Sequence, residues 1–457
     1  MTWASERRDF PALRSAPGRP APVYLDSACM SLVPRQVLGA MEEYYRDFPG
    51  CAGRSLHRFS EEVGRRYEAA RASFARFLGR RDPSGIVFVR NATEALNLVA
   101  QGLSYRPGDR VLVTDREHNS NLVVWQRLAD ERGIRLEVLP LPDDGGFDGD
   151  ALDAALARGV RLVSFFHTSN LDGRTLPIRE ITERAHDRGA RVIFDGCQAA
   201  PRGGVDLDAI GVDYYAVSAH KMLGPTGTGA LAAAPASLVD LRPLLVGGET
   251  VEWTTLRGHA LRPPPYRFEA GLQNYAGVLG AAAAIDYLER VGPDEIARRE
   301  LALNRRVSRA LDGERRVSVL GPSAPEARGS IYAFTVDGVD PHDAAVFLDE
   351  GHRVMVRSGQ HCVHSFYERR GIPGNVRASF YLYNDAADAD ALVDGVRELV
   401  ARVPDRPSGT SAATPARAAR AVPGRPRASG STAAAARSAR PPRRGARGRA
   451  ASAGGSG

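Results

Sequence analysis

Lys221 is the single lysine among 61 lysines and arginines in a chain of 457 residues. Arginine replaces lysine in most surface ion pairs, but a guanidinium neither deprotonates nor condenses with a carbonyl, so Schiff-base chemistry falls to Lys221 alone. The residue lies in SAHKMLGPTGTG, directly after the apolar run YYAVS and ahead of glycines that let a backbone approach a ligand closely. Upstream, RVIFD ends in Asp195. A lysine and an aspartate at one edge of a sheet suit pyridoxal 5′-phosphate: the amine holds its aldehyde, and the carboxylate keeps its ring nitrogen protonated so that the ring withdraws electrons.

Such a cofactor also needs an anion site. VFVRNATEALNLV reads as a strand, a short turn and a helix opening near Thr93, where free amides, the positive dipole end and a hydroxyl converge. Ordinary N-capping alone would account for the same pattern. Two other polar segments follow apolar runs: REHNSN carries His118, which could lie over a flat ring, and HTSNLDG carries Asn170, an amide.

These residues must be positioned by an α/β scaffold. Most of the candidate strands at 86–89, 110–114, 135–140, 161–166, 191–195, 214–218 and 229–232 are nearly continuous apolar runs, as in a mostly parallel seven-stranded sheet covered on both faces. Helices are expected at 93–101, 121–131, 148–157 and 178–188, the last entered through Pro177 and left through Gly189. A long apolar helix over 272–290 closes this unit. Beyond it, helices at 293–311, 341–350 and 387–401 and strands at 331–336, 354–357 and 376–380 read as a smaller α+β domain. The expected organisation is an N-terminal segment (1–21), a large domain (22–290), a small C-terminal domain (291–403) and a tail (404–457).

The net charge of +7 comes from that tail, where eleven arginines against Asp405 give +10 and leave the rest of the chain at −3. With Val422 its only large apolar residue, the tail has too little to bury and is expected to be disordered. No aromatic interleaves its charges to stack on bases, so it reads as a solvated extension rather than a nucleic-acid-binding arm. Four cysteines (Cys29, Cys51, Cys197, Cys362) without paired spacing argue against a disulfide framework or a structural zinc site. With no signal-peptide pattern at MTWASERRDF and no membrane-length apolar run, a cytoplasmic protein is expected.

The segments YLDSACMS, ATEALNLVAQGL, EHNSNLVVWQ, HTSNLDG, FDGCQAAPRGGVDLDAIGVDYYAVSAHKMLGPTGTGAL, RFEAG and VRSGQHCVHSFYERRG…VRASFYLYN resemble, in order and spacing, the SUF-type cysteine desulfurase and selenocysteine lyase group of class V, fold-type I pyridoxal-phosphate enzymes. The likeness spans about residues 22–402. It implies Lys221 as the Schiff-base lysine, Asp195 as partner of the ring nitrogen, Gln198 on the phenolic oxygen and His118 stacked on the ring. Thr93, Ser218 and His220 would hold the phosphate, and Asn170 would sit at the cofactor's polar edge. Arg357 and Arg377 would line the substrate site, with Arg377 better suited to fork a substrate carboxylate. Cys362, five residues after Arg357 in a polar loop, stands where the family carries its nucleophile, and the other three cysteines are read as structural.

The implied reaction converts L-cysteine to L-alanine: the lysine amine freed by substrate takes the Cα proton, a thiolate at Cys362 takes the substrate sulfur as a persulfide, and sulfur passes to an acceptor protein. The resemblance also implies a homodimer. Departures lie away from Lys221. FEAGLQN has Leu272 where relatives carry a threonine that reaches the neighbouring subunit's cofactor, Asn119 and Val124 replace a histidine and a proline, and GGETVEW departs from a glycine-rich segment. They leave open another class V activity, such as a C–S lyase, epimerase or aminotransferase, in which Cys362 would be dispensable. A cofactor-holding scaffold that engages nucleic acid through its tail is a further alternative.

Overall fold

The computed structural model describes residues 6–404 apart from 16, 17, 19 and 54; the expected disordered tail lies outside the described residues. Seven strands hydrogen-bond in the order Ile86–Val89, Gly229–Ala233, Tyr214–Ser218, Arg191–Asp195, Val160–Phe166, Arg110–Thr114, Arg135–Leu139. All pairings are parallel except the two made by Gly229–Ala233. The apolar runs follow from burial on both faces, because successive side chains alternate between two cores. Phe88, Leu112, Val163, Val192, Phe194 and Val217 face the core closed by the helices Arg58–Phe77 and Tyr275–Val291. Val87, Val113, Leu162, Ile193, Tyr214 and Leu231 face the core under Ala92–Gly102 and Asn119–Arg132.

Close approach fixes one glycine of the sheet: a Cβ on Gly229 would come within 2.8 Å of Asn91 Cα, at the start of the Ala92–Gly102 helix. The FEAG segment is held by a buried ion pair. Glu269 accepts from Arg71 Nη1 at 2.7 Å, from Tyr67 Oη at 3.0 Å and from the Phe88 amide at 2.8 Å, which locks it to the Ile86–Val89 strand.

A second, antiparallel sheet runs in the order Val317–Val319, Ile331–Val336, Asn375–Ser379, Arg357–Gly359. Leu303 and Val307 of Pro293–Leu311, Leu348 of Pro341–His352 and Leu392 and Val396 of Ala386–Arg402 bury its core. The single strand expected over 354–357 is instead two, with Val354–Met355 pairing in parallel with Val23–Tyr24 and Arg357–Gly359 joining the sheet. Residues 23–26 therefore pack with the C-terminal elements: Leu25 belongs to their core and Asp26 bridges to Ser379. The apolar helix expected from 272 begins at Tyr275, capped by Asn274, and leaves Leu272 exposed. The helices Arg35–Asp47 and Arg58–Phe77 were not expected from the apolar pattern, being charged on most of their surface. Among the described residues, no helix is long and apolar enough to cross a membrane.

Candidate active site

Parallel strands end at one edge of the large sheet, and the polar residues beyond them collect there. Asp195 ends one strand and Ser218 ends its neighbour. Lys221 closes the short turn Ala219–Lys221, which is pinned where the His220 carbonyl accepts from the Ser31 amide at 2.8 Å and its hydroxyl at 3.1 Å. The Lys221 ammonium is half-buried and makes no hydrogen bond or salt bridge among the described residues. Asp195 is buried, with Oδ1 accepting from the Cys197 amide at 3.0 Å. The Cys197 thiol is buried too, and burial pushes it up to about 12, which removes it as a nucleophile at neutral pH.

Two helix starts meet beside this edge. Ser218 Oγ accepts from the Ala92 amide at 2.9 Å, Asn91 caps that helix through the Glu94 amide, and Thr93 Oγ1 lies 2.8 Å from Ser120 Oγ at the start of Asn119–Arg132. His118 caps the second helix, its Nδ1 accepting from the Ser120 amide at 3.1 Å, which leaves Nε2 as the protonated nitrogen of a neutral ring. Burial, reinforced by Lys221, holds His118 down to about 4, and burial with Lys221 does the same to His220. At neutral pH both imidazoles are uncharged.

Gln198 lines a small cavity with Lys221, Ser27 and Ala28, and its amide donates to the Ala28 carbonyl at 2.7 Å. The donor set fits pyridoxal phosphate: one amine without a protein partner, a buried carboxylate, neutral imidazoles and two helix starts with hydroxyls.

Arg357 and Arg377 stand directly opposite one another on adjacent strands, a like-charge pairing that sheets avoid without compensation. Arg377 is fully buried, its Nη2 donating to Asp26 at 3.0 Å and its Nη1 to the Asn170 carbonyl at 2.8 Å, while Nε has no partner. Burial nevertheless lowers Arg377 and raises Asp26, so each strains against the charge that binds the other. Arg357 is less buried and turns to sulfur: Nη2 donates to Cys362 Sγ at 3.5 Å and Nη1 to Cys29 Sγ at 2.7 Å.

The loop carrying Cys362 is conformationally strained. His361 and Cys362 both take left-handed backbone, at φ 47° and 61°, a region that non-glycine residues avoid. Four contacts hold it. The Asn119 amide donates to the Cys362 carbonyl at 2.7 Å, and Asn119 Nδ2 lies 2.7 Å from His364 Nδ1. Asn170 Nδ2 donates to the His361 carbonyl at 2.7 Å, and His361 Nε2 lies 2.8 Å from Asn375 Oδ1.

Residues 23–392 match the aminotransferase class-V family. The chain belongs to that family. It is 40% identical over 396 residues to a probable cysteine desulfurase of Halobacterium salinarum, covering 86% of this chain and 95% of the relative. A probable cysteine desulfurase of Streptomyces coelicolor is 39% identical over 401 residues, covering 86% and 96% of the two chains. The apo structure of a cysteine desulfurase from Thermococcus onnurineus superposes with a TM-score of 0.83 at 36% identity, over 88% of this chain and 98% of that one. A cystine C–S lyase solved with its product cysteine persulfide superposes at 0.73 and 25% identity, over 83% and 98%.

In this class V chain the structure brings Lys221, Asp195, His118, Ser218 and Thr93 to one edge, with Arg357 and Arg377 of the small sheet and Cys362 on the loop after Arg357–Gly359 beside it. The Asn170 side chain holds the Cys362 loop, and both terminal nitrogens of Arg377 are engaged by Asp26 and Asn170. Sequence reasoning missed Asp26, Asn375 and the clamp made by Asn119. Asp26 lay in a quoted motif, YLDSACMS, whereas nothing in the sequence marks Asn119 as a partner of residues 362 and 364.

Proposed function

We propose that this protein is a pyridoxal-phosphate-dependent cysteine desulfurase that forms L-alanine from L-cysteine and takes the sulfur onto Cys362. The observation that carries the reading is the Arg357 contact to Cys362 Sγ, on a strained loop facing the edge that bears Lys221 and Asp195. Bound pyridoxal phosphate would supply an electron sink that acidifies the substrate Cα and weakens the bond to its sulfur.

The remaining steps belong to the chain. Lys221 would carry the cofactor and, displaced by the substrate amine, serve as the base that moves the Cα proton. Asp195 would keep the ring nitrogen protonated, His118 would cover the ring, and Ser218, Thr93 and His220 would hold the phosphate. Gln198 would reach the phenolic oxygen from the cavity it shares with Lys221. The Arg377 fork would receive the substrate carboxylate by exchanging its Asp26 contact, with its unpartnered Nε as the first donor. Arg357 places positive charge on the sulfur that attacks, where negative charge must be stabilised.

A persulfide on Cys362 passes its outer sulfur to an attacking thiol, which an acceptor protein would supply. A homodimer is supported by the apolar side chains exposed between residues 244 and 272, including Leu245, Val246, Trp253, Leu256 and Leu272. We place the protein in the cytoplasm on its unpaired cysteines. A division into large and small domains near residue 290 is supported by the separation of the seven-stranded sheet from the four-stranded one, with residues 23–26 joining the small domain.

The test uses holoenzyme, L-cysteine and a reductant, with alanine and sulfide both quantified. Equal amounts of the two are expected, and Cys362→Ala should abolish both. Parent-like sulfide from that variant would instead favour a C–S lyase, the activity of one structural neighbour.

A further inference from the structure

One guanidinium serves two thiols. Arg357 reaches Cys29 Sγ through Nη1 at 2.7 Å and Cys362 Sγ through Nη2 at 3.5 Å. The sequence reading of Cys29 as structural does not describe this environment. Cys197 shows what a structural cysteine looks like in this fold: it lies in the apolar core against the sheet. Cys29 is partly accessible, and its sulfur meets a cation instead.

Its backbone is held as firmly as a reacting group requires. The Cys29 amide donates to the Asp26 carbonyl at 3.0 Å, the Ala28 amide donates to Ser379 Oγ at 2.9 Å, and the Ala28 carbonyl accepts from Gln198 at 2.7 Å. Burial disfavours the Arg357 charge, and Cys29, Asp26 and Cys362 together outweigh it. Both thiols thus belong to one electrostatic unit.

We propose that Cys29 is a second sulfur carrier, which accepts the outer sulfur of a persulfide formed on Cys362. This rests on the desulfurase reading. The Cys29 thiolate attacks the outer sulfur of the Cys362 persulfide, forming a new S–S bond as the old one breaks, and its electron pair leaves with Cys362 as a thiolate. The proton on the outer sulfur travels with it. No oxidant is needed, because the transferred sulfur already stands at the disulfide level. The S–S bond of about 2 Å extends the reach of Cys362 toward Cys29, and Arg357 lies against both the attacking and the leaving thiolate. Cys362 is then ready for a second substrate before any acceptor protein arrives.

The experiment follows holoenzyme mixed with L-cysteine, without reductant or acceptor, by alanine burst and by mass spectrometry of alkylated peptides. The wild type should release about two alanines per chain and Cys29→Ser about one. One added sulfur should appear on both the Cys29 and Cys362 peptides of the wild type, and on Cys362 alone in the variant. A wild-type burst of about one alanine with Cys29 unmodified overturns the proposal and leaves the desulfurase reading standing. A Cys29–Cys362 disulfide with released hydrosulfide also overturns it, since attack then falls on the inner sulfur. No alanine from the wild type, or an undiminished burst from Cys362→Ala, defeats the desulfurase reading and this proposal with it. Should the variant fail to fold, the wild-type peptide map decides alone.

Discussion

Replacing Asn170 by alanine separates two roles for this residue, contact with the cofactor edge and support of the Cys362 loop. Its Nδ2 donates to the His361 carbonyl at 2.7 Å, and His361 is 3% exposed, so the variant leaves a buried carbonyl without that donor. An abandoned buried acceptor costs about 1–3 kcal/mol. The backbone Asn170 carbonyl that receives Arg377 survives the substitution. The loop has little reserve to absorb the loss, because left-handed conformations at His361 and Cys362 already cost about 1–3 kcal/mol each. Shifting the loop away from its competent geometry by about 2 kcal/mol lowers the rate roughly 30-fold. The assay is alanine formation under saturating cysteine, with the visible cofactor spectrum recorded on the same sample. The expected result is a roughly 30-fold lower kcat with an unaltered spectrum, since Lys221, Asp195 and His118 are untouched. A parent-like kcat, or a spectrum shifted while the rate holds, would refute the loop argument.

Other outcomes follow from the same geometry. Borohydride reduction of the holoenzyme should place the cofactor on Lys221, and Lys221→Ala should show neither the adduct nor the visible band; a labelled site elsewhere would contradict the assignment. Arg71→Ala leaves Glu269 as a buried charge that has lost its partner at 2.7 Å, so denaturant unfolding should show a loss of about 3–5 kcal/mol, and a loss below about 1 would be inconsistent. Burial holds His118, His167 and His220 near 4 and His361 near 3, below the ordinary value of about 6.5, so unfolding takes up protons below that pH and their contribution to stability fades as pH falls from about 6.5 toward 4. Glu117, raised by burial to about 8, has the opposite sign and favours the folded state as pH falls. Burial raises Asp26, Glu300 and Asp388 in the same direction as Glu117. The four imidazoles, which take up their protons on unfolding between pH 7 and pH 5, outweigh these carboxyls, so Tm should be lower at pH 5 than at pH 7 by differential scanning fluorimetry, and an equal or higher value at pH 5 would show that these rings are not held neutral.

The sheet was legible in the sequence because a strand buried on both faces is apolar along most of its length. Runs such as RVIFD and YYAVS therefore gave their bounds directly. Arg35–Asp47 and Arg58–Phe77 were not legible, since each buries only a narrow apolar stripe beneath a charged surface. The split of 354–357 between two sheets depends on Val23–Tyr24, hundreds of residues away, which no local pattern announces. At the site, Lys221 and Asp195 could be read from residue type and strand ends. The contacts of Cys29, Asn119 and Asn170 could not, because each joins the Arg357–Asn375 region to residues far away in sequence, in the N-terminal segment or at the large-sheet edge, and exists only once the fold is assembled.

The most direct measurement of the central claim is the mass of the Cys362 peptide after a single turnover. Cys29→Ser holoenzyme is mixed with one equivalent of L-cysteine, quenched with an alkylating agent and cleaved at arginine. Each alanine formed should be matched by one sulfur added to Cys362; alanine without that added mass would contradict the role assigned to this thiol.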